Sequence, residues 1–149
     1  MSIGTEAKTL YDLLGQRPTL ERVHKIFYDK IYADSWLGLF FKEIKQQLIE
    51  DQQTDFMTQA MGGPEKYLGK FPIPAHKHMF ITEELFAHRH QLLQEALIEA
   101  GVPKNLQERW LKIDGAFKTA LLKKSLSDCE KRYHTDEILS FPDPRKRAA

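Results

Sequence analysis

The sequence lacks the features that mark secreted, membrane-spanning and nucleic-acid-binding proteins. Its 149 residues contain one cysteine, Cys129, which excludes an internal disulfide and fits a reducing compartment. Lys and Arg total 22 against 21 Asp and Glu, so the net charge of +1 favours neither nucleic acid nor a membrane surface. No run approaches the roughly 18 apolar residues of a membrane span, and the start resembles no signal peptide. We therefore expect a cytoplasmic protein without nucleic-acid or membrane partners.

Strand patterns are nearly absent as well, whereas helical spacing is present through most of the chain. Apolar residues recur every three or four positions in five segments, which predicts helices over residues 5–14, 20–33, 45–61, 82–100 and 106–126. Ser127 and Glu130 have the spacing of a capping box, which predicts a further turn or two near the C-terminus. The sequence thus predicts one all-α domain over residues 1–126, followed by a partly helical C-terminal extension over residues 127–149.

Residues 62–75 form one long irregular segment between two of these helices, and it is rich in glycine and proline. A loop of this length inside a compact helical domain is often functional. It ends at His76, shortly before Phe80 and Ile81, and an imidazole held against an apolar wall is what a haem iron needs. The alternative is a surface or helix-capping histidine. His78 would point elsewhere on a helical turn, so we expect it to be exposed.

Tyr28, Gln52 and Gln53 are polar residues on helices that otherwise have apolar faces. A glutamine on an inner face is costly unless its amide has a hydrogen-bond partner. Tyr28 and Gln53 could therefore share a polar pocket that binds a small molecule. The alternative is that the Tyr28 hydroxyl reaches water and that the glutamines are exposed or bound to water. Asp114 lies beside the buried row of the last helix, where we expect it to have a polar partner.

Five segments, in order and at matching spacing, resemble the truncated haemoglobins, most closely the first group of that family. They are "LYDLLG", "IFYDKIYADSWLGLFF", "FMTQAMGGPEKYLGK", "AHKHMFITEELF" and "AGVP". The resemblance covers roughly residues 8–125. Where the second group of the family usually has a tryptophan, this chain has Arg89 or His90, which argues against that group. The resemblance implies a shortened globin, a two-over-two helical sandwich around haem.

The resemblance also implies a role for each residue of a haem pocket. His76 would be the proximal ligand of the iron, Tyr28 the distal tyrosine, and Gln53 the polar distal residue one turn after Ile49 at the distal gate. No Cys-x-x-Cys-His motif is present, so the cofactor would be haem b (iron protoporphyrin IX), held non-covalently. The remaining residues expected to contact it are Phe41, Phe56, Tyr67, Phe80, Ile81, Phe86, Ile113 and Phe117.

The function implied by the resemblance is binding of O2 and other diatomic ligands, NO or CO, at the haem iron. Tyr28 and Gln53 would donate hydrogen bonds to the ligand as a connected pair, and oxidation of nitric oxide to nitrate would require a reductase that the sequence does not identify. Two alternatives stay open: a haem-based gas sensor or oxygen-transport protein without turnover, and a globin-like interaction domain without haem.

Overall fold

The computed structural model describes residues 8–64 and 75–148, and their secondary structure is almost entirely helical. The α-helices are α1 (Leu10–Leu14), α2 (Arg17–Ala33), α3 (Gln46–Ala60), α4 (Glu83–Glu99), α5 (Lys104–Gly115) and α6 (Lys118–Leu121). Short 3₁₀ turns cover Leu37–Phe41, Leu126–Asp128 and Pro144–Ala148. Within the described ranges the only β pairing is an isolated bridge between Met79 and Leu139. The predicted all-α fold class is confirmed.

Local sequence signals explain where α1 and α4 begin and end. Thr9 caps α1 by accepting a hydrogen bond from the Asp12 amide, and Gly15 ends that helix with a φ of 103°. The Thr82 hydroxyl accepts from the Leu85 amide at 3.1 Å at the start of α4. Gly101, with a φ of 78°, follows the end of α4. These caps account for where α1 and α4 begin and end.

Helix α2 lies at the centre of the fold, where it contacts α1, α3, α4 and the turn that follows it. Its side chains at Leu20, Val23, Phe27 and Ile31 are at most 1% exposed, and they recur at the three- and four-residue spacing of one helix face. Trp110 of α5 joins the same buried cluster. The centre of the molecule is therefore a packed apolar interface against which the neighbouring helices are fixed.

The last predicted helix, over residues 106–126, is wrong in its length. Instead α5 begins at Lys104 and ends at Gly115, and the separate α6 ends at Leu121. Glycine is a poor helix former, which accounts for the break. The predicted capping box at Ser127 and Glu130 is also wrong, because the box forms two residues earlier, between Ser125 and Asp128.

The prediction that His78 is exposed is wrong: it is 4% exposed. The cause is the C-terminal extension (residues 127–149), which lies against the segment that carries His78. The Leu139 amide donates to the His78 carbonyl, and the Phe80 amide donates to the Leu139 carbonyl, each at 2.8 Å. Helical spacing within residues 76–81 contains no information about such a distant contact. Most of the predicted irregular segment 62–75, including Tyr67, lies outside the described residues.

The extension also contacts the segment that follows α2. The Trp36 indole donates to the Phe141 carbonyl at 2.7 Å, and the Phe141 ring packs edge-on against Phe40 at 4.9 Å.

Among the helices of the described ranges, none combines the length and apolar character that a membrane crossing requires.

Candidate functional site

A cavity of about 370 Å³ lies between α2, α3, α4 and the segment that precedes α4. Most of its wall is apolar and aromatic, from Ile31, Leu37, Phe40, Phe41, Ile44, Ile49, Phe56, Met57, Met79, Ile81, Leu85, Phe86, Phe117 and Leu121. Its polar lining residues are Tyr28, Gln52, Gln53, His76, Arg89, Asp114 and Arg132. An apolar cavity with a few polar side chains is the usual form of a cofactor or ligand site.

His76 lines this cavity from the end of the segment that joins α3 to α4. Its carbonyl accepts hydrogen bonds from the Met79 amide at 2.9 Å and from the Lys123 ammonium at 3.0 Å. The backbone that carries the imidazole is therefore anchored twice, once by a neighbouring residue and once by Lys123, which follows α6. An imidazole carried on an anchored backbone beside an apolar wall meets the chemical requirement of a haem iron ligand.

Tyr28 of α2 enters the same cavity and is 4% exposed. Its ring packs edge-on against Phe27 at 4.9 Å and Phe41 at 6.2 Å. Burial raises the pKa of the Tyr28 phenol, so the hydroxyl keeps its proton at neutral pH. Within the described part of the chain, this hydroxyl makes no hydrogen bond to another residue. It can therefore donate one to a ligand in the cavity.

Helix α3 brings Ile49 and Gln53 to the cavity, together with the exposed Gln52. Among the described residues no hydrogen bond joins Gln53 to Tyr28, and their action as a connected pair on a bound ligand stays a prediction. Both residues nevertheless line one cavity, so a ligand in contact with both would connect them. Gln52 lines the cavity and is exposed, as in the alternative that the sequence left open for it.

Arg89 and Asp114 form a largely buried ion pair in the cavity wall. The Arg89 Nη1 atom lies 2.8 Å from the Asp114 Oδ2 atom, and the two side chains are 25% and 7% exposed. The guanidinium also packs over the rings of Phe27 and Phe86, at 5.2 and 5.8 Å from the ring centres. The expected partner of Asp114 is thus confirmed, and the pair joins α4 to α5.

His24 lies one turn before Tyr28 but does not line the cavity. Its Nδ1 atom lies 2.7 Å from the Thr54 hydroxyl, and its ring packs edge-on against Trp110 at 5.6 Å. Burial lowers the pKa of His24 to about 3, so the ring is neutral at physiological pH. His24 therefore serves the interface between α2, α3 and α5 and is not positioned as a donor in the cavity.

The structure brings most of the predicted pocket residues together and leaves two apart. Phe41, Ile49, Phe56, Ile81, Phe86 and Phe117 line the cavity with Tyr28, Gln53 and His76. Phe80 and Ile113 are partly buried, and neither is among the lining residues. Arg132 was not predicted, because it lies in the C-terminal extension, beyond the segments that carry the resemblance.

The sequence model of the family described as "Bacterial-like globin" matches residues 9–123. This chain belongs to that family. It is 36% identical over 95 residues to a Group 1 truncated hemoglobin of Tetrahymena pyriformis, covering 64% of this chain and 78% of that protein. It is 34% identical over 98 residues to the Group 1 truncated hemoglobin GlbN of Mycolicibacterium paratuberculosis, covering 66% and 72%.

Solved structures agree with this assignment to the globins. The Fe(III) form of the truncated hemoglobin from Tetrahymena pyriformis matches with a TM-score of 0.73 at 32% identity, covering 78% of this chain and all of that one. The Group II truncated hemoglobin from Bacillus anthracis matches with the same TM-score of 0.73 at 17% identity, which shows the shared fold alone. This globin is thus a truncated haemoglobin most like group 1, and its family supports haem-based ligand binding.

Proposed function

We propose that the cavity of this globin holds haem b, with His76 as the protein ligand of the iron, and that Tyr28 and Gln53 face the diatomic ligand. One observation carries the proposal: His76 and Tyr28, from segments far apart in the sequence, line one apolar cavity. The donor set fits haem, since it combines one imidazole with aromatic and aliphatic walls.

The apolar lining would hold the porphyrin by burial and ring contact. Phe56 and Phe117 already pack against each other at 5.7 Å, and Phe41 and Phe86 line the cavity from other elements. Burial of an aromatic side chain against an apolar surface is strongly stabilising, so several such contacts can hold a cofactor without a covalent bond. Ile49 provides no polar group at the position where the resemblance places the distal gate.

When bound, the haem iron supplies reversible binding of O2, NO or CO and, with O2 and nitric oxide as reactants, the oxidation of nitric oxide to nitrate. The Tyr28 hydroxyl and the Gln53 amide would donate hydrogen bonds to a ligand that carries partial negative charge. Each donor is worth about 1–3 kcal/mol to a charged acceptor, or roughly tenfold in ligand release for every 1.4 kcal/mol. Repeated turnover would require electrons from a reductase. We propose that ligand binding and the oxidation of nitric oxide both take place in the cytoplasm.

Addition of nitric oxide to the reduced, oxygenated protein tests the enzymatic part of the proposal. We expect one nitrate for each haem in a single turnover and continued consumption when an electron donor is present. Stable haem with reversible O2 binding but no nitrate would instead support a carrier or sensor. Failure of the pure protein to take up haem at all would leave the interaction domain as the remaining alternative.

A further inference from the structure

The C-terminal extension lies outside the family match, yet it is bonded to the segment that carries His76. The match ends at residue 123. Beyond it, the Glu130 amide donates to the Lys77 carbonyl, and the Leu139 amide donates to the His78 carbonyl, each at 2.8 Å. The part of the extension between these two contacts is thereby held close to His76 and to the cavity.

Arg132 lies in that part of the extension. Among the described residues of the extension, Arg132 alone lines the cavity. Its side chain is 30% exposed, so Arg132 contacts both the cavity and solvent, which places it at the edge of the cavity. Arg132 Nε lies 2.9 Å from Asp136 Oδ2, and Nη2 lies 3.2 Å from Asp136 Oδ1. The Arg132 guanidinium holds the pKa of the Asp136 carboxyl well below its usual range, so the pair persists at neutral pH.

This pairing fixes the plane of the guanidinium and leaves part of it available. Asp136 engages Nε and Nη2, and no described residue accepts a hydrogen bond from Nη1. The other cation of the described lining, Arg89, is committed to the buried Asp114. Arg132 is therefore the cationic donor at the cavity edge that can take an anionic group of a bound molecule.

Haem is a planar, largely apolar macrocycle with two carboxylates on one edge. Because a bare carboxylate is expensive to bury, this edge must face the rim of an apolar cavity. A guanidinium held in a fixed plane matches a carboxylate well, and hydrogen bonds between charged groups are stronger than those between neutral ones. A partly exposed, pre-oriented arginine at the rim is thus suited to hold the carboxylate edge of haem.

We propose that Arg132 binds a carboxylate of the haem, so that the C-terminal extension contributes a contact to the cofactor that the family match does not include. The inference rests on the proposed function, since it takes haem as the occupant of the cavity. In this arrangement Asp136 is a positioning residue that orients the Arg132 guanidinium. The backbone hydrogen bonds between the extension and residues 77–80 hold Arg132 at the edge of the cavity.

The rate of haem loss to an excess of a haem-scavenging apoprotein tests this contact. The wild type and Arg132→Gln are each loaded with haem or with haem dimethyl ester, whose carboxylates cannot pair with arginine. With haem, we expect Arg132→Gln to lose the cofactor about tenfold faster. With the ester, both proteins should lose it at the same rate. An equal acceleration with both cofactors, or none with haem, would overturn the proposal.

Two further variants separate a direct contact from a general loosening of the extension. Arg145 has the same side chain in the same extension and pairs with Asp143 at 2.7 Å, but it does not line the cavity. Arg145→Gln should therefore change the rate of haem loss less than twofold, and a tenfold effect there would contradict a specific role for Arg132. Arg132→Lys, which keeps the charge, should lie between wild type and Arg132→Gln.

The outcomes also distinguish this inference from the proposed function. If the wild type binds haem normally and the Arg132 variants release it at the wild-type rate, the inference alone fails. If the wild type takes up no haem, both fail.

Discussion

Replacing Tyr28 by Phe removes one oxygen atom from a buried position and leaves the packing of the ring in place. Tyr28 is 4% exposed, and its edge-on contacts with Phe27 and Phe41 involve carbon atoms that phenylalanine retains. The hydroxyl has no hydrogen-bond partner among the described residues, so its removal leaves no protein group unpaired. The substitution therefore tests the hydrogen bond to a ligand with little structural disturbance.

The expected effect on O2 release follows from the energy of that hydrogen bond. Loss of a donor to a partly charged acceptor costs about 1.4–2.7 kcal/mol, which raises the dissociation rate roughly ten- to a hundredfold. Gln53→Leu should have a smaller effect, since its side chain is less buried than Tyr28. Because one ligand would contact both donors, the double variant should deviate from the product of the single effects.

Stopped-flow measurement of O2 release from the reduced protein gives these rates directly. Tyr32→Phe is a matched control, because the Tyr32 hydroxyl donates to the Ile44 carbonyl at 2.8 Å and Tyr32 does not line the cavity. It should leave the O2 release rate within about twofold of wild type. An unchanged rate in Tyr28→Phe would refute the assignment of Tyr28 as the main donor.

Two further predictions concern the stability of the haem-free protein, measured by urea unfolding. Asp114→Asn should lower the free energy of unfolding by about 2–3 kcal/mol, because it leaves the Arg89 charge uncompensated in a largely buried site. Asp55→Asn, which breaks a pair with Arg17 at one-third exposure, should cost less than about 1 kcal/mol, and equal losses would contradict the role of burial. The pKa of His24 is about 3 in the folded state against 6.5 when unfolded. The unfolded chain thus binds the additional proton below pH 6.5, and stability should fall by about 2 kcal/mol from pH 7 to pH 5. His24→Gln should remove that part of the pH dependence, and an identical pH profile would refute it.

The parts of the fold that depend on local signals were predictable from the sequence. Helix α4 was predicted to within one residue at each end, because Thr82 and Gly101 are strong cap and stop signals. The last helix was not, since the apolar spacing continues past the break at Gly115 and conceals it. The spacing of apolar residues identifies which face of a helix is buried, but it does not identify the residue at which the helix ends.

In the candidate site, too, some residues could be predicted from the sequence, whereas those placed by contacts between distant segments could not. The resemblance placed Tyr28, Gln53 and His76 in one pocket, and the structure brings all three to one cavity. Arg132 and the burial of His78 could not be predicted, because both depend on backbone pairing between residues 77–80 and 130–139. No residue pattern in either segment specifies that pairing, and the extension lies outside the family match.

The absorption spectrum of the purified protein, compared with that of His76→Ala, tests the central claim most directly. We predict one non-covalent haem for each wild-type chain with the spectrum of a histidine-ligated iron, and loss or much weaker binding of haem in His76→Ala. His90→Ala is the matched control, since His90 does not line the cavity, and it should retain the wild-type spectrum. Stoichiometric, normally coordinated haem in His76→Ala would contradict the account.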